Sequence, residues 1–457
     1  MYELAVRHIF GPALDFYRGA RALKLREEFE RTQWWPRQEI MALQDERLGK
    51  LLRYAYDNVP YYQRIFEQHA LKPDDIQNSA VLVKLPVLTR QLFRDNFSDL
   101  IAGGFPKREL KLCSTSGSTG EPLRFYRAKD DICSWDCAAG LRASAWAGYE
   151  LGKKCALLSA ILSESESTVD KLARTSKHFF ERITPFDVRE MSEDKLPLFA
   201  KRLEGFQGGF IRGYPSAIHL LARYIERKGM PKIRPKAIIP SGEGLYDFQR
   251  ALFAKVFECE VFSYYRSMEV NAIACECSEH SGFHISAENV ILEIVDDEGK
   301  PLPAGEEGRI LLTNLHSYGM PFIRYEMGDV GVISDVTCRC GRGLPLLAAL
   351  NGRVTDIVYT KSGKCIPGLA LPLNFFASLG VAQFQVVQDT YEKVAIRIVL
   401  GGKYPQERVD RLVNEIILRY RAVLGQGMEI EVELVDQVVP TQSGKRRIVI
   451  SNVPERF

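Results

Sequence analysis

The sequence predicts an α/β fold, in which a large N-terminal domain of helix-covered β-sheets precedes a small α+β C-terminal domain. The chain has 457 residues, which is too long for one small core. From about residue 110 to 350, short β-branched runs alternate with helical ones, as in folds whose sheets are covered by helices. After Gly352 and Arg353 the pattern changes, which divides the chain into predicted domains of residues 1–352 and 353–457.

The first part of the large domain, residues 1–105, is expected to be a mainly helical lead-in. Asp45–Tyr56 places three leucines and Tyr56 on one face at helical spacing. Prolines at positions 60, 86 and 106 punctuate the segment.

The central region contains a predicted helix, a buried strand and a hairpin. Ala217–Arg227 is typical of a helix that a glycine ends, and Ala237–Pro240 of a short buried strand. Val290–Val295 and Arg309–Thr313 have strand character, and residues 296–299 supply turn chemistry between them. This alternation favours sheets covered by helices.

The C-terminal region is predicted to form a β-β-α-β unit. Its helix is amphipathic, with apolar residues repeating at helical spacing. The expected elements are strands Phe384–Gln388 and Val394–Leu400, helix Glu407–Leu424 and strand Met428–Val435.

Composition excludes several classes of protein. The formal net charge is only +3, so a broad nucleic-acid-binding face is not expected. No run approaches the ~18 apolar residues that span a bilayer, so we expect no transmembrane segment. The stretch after Met1 is interrupted by Arg7, Asp15 and Arg18 and does not resemble a secretory signal; it is either an ordinary packed helix or a membrane-associated amphipathic one. Ten cysteines without such a signal favour reduced thiols in the cytoplasm.

A loop rich in small hydroxyl residues and glycine is the most informative motif. It runs from Cys113 to Pro122 and contains Thr115, Ser116, Gly117, Ser118, Thr119 and Gly120. Small residues let successive backbone N–H groups approach a polyanion, and hydroxyls add neutral donors, so the loop suits a triphosphate. Gly120 is followed by Glu and Pro instead of Lys and Ser or Thr, which argues against a P-loop NTPase. A flexible surface loop is the alternative.

Further motifs follow this loop in a fixed order. They are Ser241-Gly242-Glu243, Tyr265-Arg266-Ser267-Met268-Glu269, Tyr325-Glu326-Met327-Gly328-Asp329, Gly352-Arg353-Val354-Thr355-Asp356 and Pro440-Thr441-Gln442-Ser443-Gly444-Lys445. Together they resemble the motif series of the acyl-adenylate-forming superfamily, which activates carboxylic acids as acyl-AMP. The resemblance covers the chain from about residue 40 to the end. It implies a large adenylating domain and a small mobile C-terminal domain.

The resemblance also implies roles for individual residues. Thr115–Gly120 would bind the phosphates of ATP, Ser241, Gly242 and Glu243 would lie on the adenine side, and Tyr265 would lie beside the adenine. Glu269 would help to bind Mg²⁺, to which a hard carboxylate is suited. Asp329 would accept both ribose hydroxyls, Arg353 would approach the nucleotide near the hinge, and Lys445 would be the catalytic lysine. The chain departs from the family pattern at Arg266, Met268 and Thr355.

Two N-terminal segments indicate a branch of the superfamily. Asp57–Tyr62 and Leu85–Arg90 resemble the phenylacetate-CoA ligases and the capsular-polysaccharide CapK proteins, and the strand at Gln383–Gln388 leans toward CapK. The resemblance implies transfer of the acyl group to coenzyme A. The alternatives are transfer to an amine or hydroxyl acceptor in polysaccharide or small-molecule biosynthesis, and a nucleotide-binding regulator without activity.

Cysteines and a histidine predict a zinc site. Cys277, His284, Cys338 and Cys340 offer three soft thiolates and one imidazole, which suit tetrahedral structural zinc. The branch resembled here often has a zinc site of this layout. Cys275 and His280 are alternative ligands, and free buried cysteines are the alternative to a metal site.

Overall fold

The computed structural model of the chain describes residues 2–115, 123–159, 168–191, 195–353, 357–361, 365–367, 371–377, 379–439 and 447–453. Its α-helices, numbered in chain order, are α1 Tyr2–Ala5, α2 Gly11–Arg18, α3 Ala22–Thr32, α4 Arg37–Asn58, α5 Pro60–Gln68, α6 Arg90–Asp95, α7 Cys137–Trp146, α8 Thr168–Phe180, α9 Leu196–Glu204, α10 Pro215–Lys228, α11 Asp247–Phe257 and α12 Gln406–Leu424. Within the described ranges, no helix combines the length and the apolar character that a bilayer crossing requires.

The strands are also numbered in chain order. They are β1 Leu110–Ser114, β2 Arg124–Ala128, β3 Cys155–Ser159, β4 Ile183–Asp187, β5 Phe210–Gly213, β6 Ala237–Pro240, β7 Glu260–Val261, β8 Tyr264–Tyr265, β9 Ala274–Glu276, β10 Phe283–Ile285, β11 Val290–Val295, β12 Glu307–Asn314, β13 Tyr325–Ser334, β14 Leu346–Arg353, β15 Ile357–Tyr359, β16 Cys365–Pro367, β17 Val381–Thr390, β18 Lys393–Leu400, β19 Glu429–Leu434 and β20 Val449–Ser451.

A parallel sheet forms the centre of the chain. Its strand order is β4-β3-β5-β6-β7, and α8 to α11 connect successive strands. All four residues of β6 are buried, as expected for a strand covered on both faces. Gly213 ends β5 with a φ of 142°, and a Cβ there would lie 1.9 Å from the Leu158 carbonyl oxygen, so only glycine fits this close approach.

An antiparallel sheet follows, with the strand order β11-β12-β13-β14-β10-β9-β8. The lead-in helices α4 to α6 bury their apolar faces in the same core as this sheet. Buried members of that core include Leu48, Leu52, Phe66, Phe93, Ile294, Ile310 and Leu312. Because the helices carry apolar residues on one face only, this packing provides the burial that an isolated helix would lack.

The C-terminal region has its own core. Strands β19-β18-β17-β20 form a four-stranded sheet, and α12 covers it with Leu412, Ile416 and Tyr420. Arg227 Nη1 on α10 donates to the Gly401 carbonyl at 2.9 Å, which connects this sheet to the parallel one.

The structure confirms the α/β class and the predicted segments of the centre and the C-terminal region. The helix predicted at Asp45–Tyr56 is the middle of the longer α4. The predicted hairpin is β11 and β12, paired antiparallel with Val295 opposite Arg309. A strand after the predicted β-β-α-β unit, β20, joins the last sheet in parallel with β17.

Candidate active site

The candidate phosphate loop connects β1 to β2, which pair antiparallel as a hairpin. At its base the Thr115 N–H donates to the Leu123 carbonyl at 2.9 Å, and the Leu123 N–H donates to Thr115 Oγ1 at 3.0 Å. Thr115 therefore holds the two ends of the loop together. Residues 116–122, which include the predicted Ser116 to Gly120, lie outside the described residues.

Ser241, Gly242 and Glu243 follow the carboxyl end of β6. Ser241 forms a parallel bridge to Tyr264 in β8, so this loop lies where the parallel and antiparallel sheets meet. Both oxygens of Glu243 accept hydrogen bonds from Ser216, from its N–H at 2.9 Å and its hydroxyl at 3.0 Å. Ser216 is in the first turn of α10, where a carboxylate is favoured by the helix dipole. In open parallel sheets, ligands bind at this carboxyl edge.

The two central motifs exchange hydrogen bonds between their tyrosines and carboxylates. Tyr265 donates to Asp329 Oδ2 at 2.6 Å, and Tyr325 donates to Glu269 Oε1 at 3.2 Å. Both carboxylates are buried, with Glu269 3% and Asp329 7% exposed. Burial, and then the charge of Glu269, raise the pKa of Tyr325, which keeps its hydroxyl protonated as a donor. The exchange brings two carboxylates from distant parts of the chain into one site.

Asp329 is also placed by its strand. It lies in β13, directly opposite Arg353 of β14. This register brings the backbone of Arg353 to the candidate ribose-binding carboxylate. Nothing is described of the Arg353 side chain, and residues 354–356 of the predicted hinge lie outside the described residues.

Arg90 contacts the same turn. Its Nη2 donates to the Met327 carbonyl at 2.9 Å, and a Cβ at Gly328 would lie 3.7 Å from that guanidinium nitrogen. Leu88 pairs with Tyr325 in an isolated parallel bridge. The segment Leu85–Arg90 therefore packs against the Tyr325–Asp329 motif and supports the turn that contains Asp329.

A buried ion pair holds the Glu269 loop from both sides. Arg127 Nη1 lies 2.8 Å from Asp136 Oδ2, and both side chains are 4% exposed. Asp136 Oδ2 also accepts from the Asn271 N–H at 2.8 Å, while Arg127 donates to the Met268 carbonyl at 3.5 Å. Sequence reasoning missed both residues, since neither belongs to a recognised motif and the only available signal was charge next to apolar runs.

The four predicted zinc ligands converge. Their ligand atoms all lie within 4.8 Å of one another; Cys277 Sγ is 3.7 Å from Cys338 Sγ, and Cys340 Sγ is 3.2 Å from His284 Nε2. Two sulfurs at about 2.3 Å from a tetrahedral zinc would be separated by roughly 3.8 Å, so the thiolate spacing fits this metal. Burial lowers the pKa of His284 to about 4, which leaves its ring neutral and able to donate a lone pair.

The alternative ligands lie elsewhere. Cys275 directs its Sγ toward the Ala143 carbonyl at 3.9 Å, and His280 Nδ1 lies 3.4 Å from Glu276. Ser281, which the sequence did not indicate, lies 3.3 Å from Cys338 Sγ. Burial raises the pKa of the Cys338 thiol, but hydrogen bonds, first that of Ser281, outweigh burial and leave it below its usual value.

Known proteins have sequences similar to this one over most of its length. The chain is 24% identical over 394 residues to a phenylacetate-coenzyme A ligase of Thermus thermophilus, across 84% of this chain and 86% of that protein. It is 22% identical over 424 residues to the Protein CapK of Staphylococcus aureus, across 91% and 90%. Residues 358–452 match the CapK C-terminal domain family. Along most of its length the chain is thus similar to phenylacetate-CoA ligases and to CapK.

A solved structure agrees with this assignment at the level of the fold. A 2-hydroxyisobutyryl-CoA ligase, solved in the postadenylation state with R3-HIB-AMP, matches with a TM-score of 0.74 at 20% identity, across 92% of this chain and 91% of that one. This match in fold, together with the ligases among its sequence relatives, supports an adenylate-forming ligase. The described part of this ligase contains Glu269, Asp329 and the backbone around Arg353, whereas Lys445 lies in the undescribed residues 440–446.

The ion pair behind Glu269 yields a stability prediction. Asp136→Ala leaves Arg127 buried without its partner, which should destabilise this ligase by roughly 3–5 kcal/mol in urea unfolding. The double variant Arg127→Met with Asp136→Leu removes both charges and should lose less than the single variant. Glu46→Ala, which breaks an exposed ion pair with Lys50, should cost about 0.5 kcal/mol or less. If Asp136→Ala lost as little stability as Glu46→Ala, the buried ion pair would not hold the Glu269 loop.

Proposed function

We propose that this ligase uses ATP and Mg²⁺ to convert a small-molecule carboxylic acid into its acyl-AMP, releases pyrophosphate, and then transfers the acyl group to the thiol of coenzyme A with release of AMP. Residues 1–352 would form the adenylating domain and residues 353–457 a mobile lid. The exchanged tyrosine–carboxylate hydrogen bonds carry the proposal, because they hold Glu269 and Asp329 in one buried site.

Each residue of the site would bind the part of ATP or the ion that suits its side chain. The loop at Thr115–Gly120 would bind the phosphates, and Asp329 would accept the ribose hydroxyls. Glu269 would hold Mg²⁺, which supplies positive charge to the phosphates when bound. The Glu269 carboxylate is suited to this, since it is buried and fixed by Tyr325.

The reaction would need no protein nucleophile. A carboxylate oxygen of the acid attacks the α-phosphorus of ATP, the bond to the pyrophosphate oxygen breaks, and pyrophosphate carries the electron pair away. Lys445 would neutralise the charge on the reacting oxygens, so catalysis would be positioning and electrostatics. Rotation of the lid about the Arg353 region would then admit the acceptor.

Two relatives favour different acceptors. The Thermus thermophilus relative is a phenylacetate-coenzyme A ligase, which supports coenzyme A. The match of residues 358–452 to the CapK C-terminal domain supports the second candidate, transfer to an amine or hydroxyl in polysaccharide biosynthesis. An inactive regulator is disfavoured because Glu269, Asp329 and Lys445 are all retained. Reduced thiols and the need for ATP favour the cytoplasm as the site of the reaction.

A screen separates these candidates. Pyrophosphate release is measured with a library of carboxylic acids, with and without coenzyme A, and the products are identified by mass spectrometry. The proposal expects one class of acid to release pyrophosphate and to yield an acyl-CoA. Release without an acyl-CoA would favour the amine or hydroxyl acceptor, and no release with any acid would favour the regulator.

Lys445→Ala should reduce formation of acyl-AMP by at least ~100-fold, since its charge is needed where negative charge develops. The measurement is acid-dependent pyrophosphate release at saturating ATP. Lys403→Ala removes an exposed lysine from the same region and should leave the rate unchanged. Both variants should unfold at the wild-type urea concentration, and a near wild-type rate in Lys445→Ala would overturn its role.

We also propose that Cys277, His284, Cys338 and Cys340 bind structural Zn²⁺. The four residues would occupy all positions of a tetrahedral ion, so no position remains for substrate. The ion would fasten the turn after β9 and strand β10 to the turn at Cys338–Cys340 beyond β13, and so stiffen the antiparallel sheet beside β8.

The purified untagged protein should contain about one zinc ion per chain. Elemental analysis should show this zinc lost in Cys338→Ser with Cys340→Ser and retained in Cys259→Ser, a control thiol outside the cluster. Loss of zinc should lower the urea midpoint without abolishing the affinity for ATP. Wild-type protein without zinc would refute the site.

A further inference from the structure

We propose that the N-terminal helical segment and α8 together form a docking surface for an anionic lipid bilayer. This surface, the aromatic face, consists of Ile9, Phe16, Tyr17, Leu172, Phe179 and Phe180. It lies outside the residues assigned to the reaction, and the proposal does not depend on which acid or acceptor the ligase uses.

Large apolar side chains of this face are exposed instead of packed. The exposed fraction is 90% for Phe16, 87% for Tyr17, 74% for Phe179, 68% for Leu172 and 64% for Ile9. Scattered single apolar residues are ordinary on a protein surface, but contiguous ones mark a site of interaction.

The spacing in α8 shows that this helix presents an apolar stripe, since Leu172 and Phe179 are seven residues apart in it. In the N-terminal segment, Ile9 lies in the π-helical stretch Val6–Phe10 that joins α1 to α2, and Phe16 lies in α2. Residues seven apart lie on nearly the same side of a helix.

Ring contacts and a hydrogen bond join the N-terminal segment to the end of α8. The rings of Phe10 and Phe180 stack with centroids 5.1 Å apart, and the Phe179 and Phe180 centroids are 5.7 Å apart. The Tyr2 hydroxyl donates to the Phe180 carbonyl at 3.0 Å, which ties the start of the segment to the end of α8.

The opposite side of the N-terminal segment is already packed. Val6 is 2% exposed, and a Cβ at Gly152 would lie 3.1 Å from the Val6 Cβ. The segment therefore rests on the body of the protein through one side and presents the aromatic face with the other.

The positive charge of the two segments indicates which partner binds the aromatic face. Residues 2–24 and 168–182 contain eight Lys or Arg and four Asp or Glu, a net +4, which the ion pair of Arg21 with Asp130 reduces to +3. A second copy docking through the same face would bring two positive surfaces together. An anionic bilayer is complementary instead, since basic residues attract its headgroups while aromatic side chains enter the interfacial region. Because no described helix could cross a bilayer, the contact would be peripheral.

The test is co-sedimentation of the full chain with lipid vesicles. Protein should pellet with vesicles of phosphatidylcholine mixed with phosphatidylglycerol, much less with phosphatidylcholine alone, and less at high salt. The double variants Ile9→Ser with Phe16→Ser, and Leu172→Ser with Phe179→Ser, should each reduce the bound fraction by about tenfold. Leu418→Ser, which removes a leucine of α12 that is 68% exposed, is the matched control and should bind as wild type.

A fluorescence measurement guards against misfolded variants. Phe16→Trp should show a blue-shifted emission, relative to wild type, when anionic vesicles are added, because the indole enters the interface. No pelleting of wild type with anionic vesicles would overturn the proposal. Equal losses in Leu418→Ser would overturn it as well. So would a dimer in light scattering that the Ile9 and Phe16 substitutions dissociate, since the face would then join two copies of the chain.

Discussion

The exchange of hydrogen bonds between two tyrosines and two carboxylates is the interaction on which the candidate site depends. Tyr265 of the earlier motif donates to Asp329 of the later one, and Tyr325 of the later motif donates to Glu269 of the earlier one. Each motif therefore needs the other to position its carboxylate. Hydrogen bonds to charged groups contribute about 1.5–3 kcal/mol, and a buried carboxylate without its donor would be costly. The two hydrogen bonds thus fix the positions of the carboxylates proposed to hold ribose and Mg²⁺.

The rest of the fold brings these two motifs together. The two-residue strand β8 belongs to the antiparallel sheet, yet its Tyr264 bridges to Ser241 at the carboxyl end of the parallel sheet. Tyr265, the next residue, donates to Asp329 in the turn whose Met327 carbonyl accepts from Arg90. The lead-in helices matter for the same reason, since they provide the core beneath β13 and carry Arg90.

Much of this was predictable from the sequence, and the remainder was not for physical reasons. Motif order predicted that Glu269 and Asp329 share one site, and Cys and His chemistry predicted which four side chains converge. The exchanged partners are 56 and 64 residues apart, and no local pattern encodes which tyrosine meets which carboxylate. Arg127 and Asp136 were missed because a buried ion pair has no sequence period. The N-terminal helix was ambiguous, since amphipathic spacing does not say which side is covered.

The most direct test of the account is the binding of ATP and of 2′,3′-dideoxy-ATP to wild type and to Asp329→Ala, with the four affinities forming a cycle. The account predicts that loss of the carboxylate and loss of the ribose hydroxyls each weaken binding by roughly 1.5–3 kcal/mol per hydrogen bond. The analogue should then bind the variant with little further loss of affinity, because the substitution and the missing hydroxyls remove the same hydrogen bonds. Losses that simply add would show that Asp329 does not bind the ribose, and would contradict the central claim.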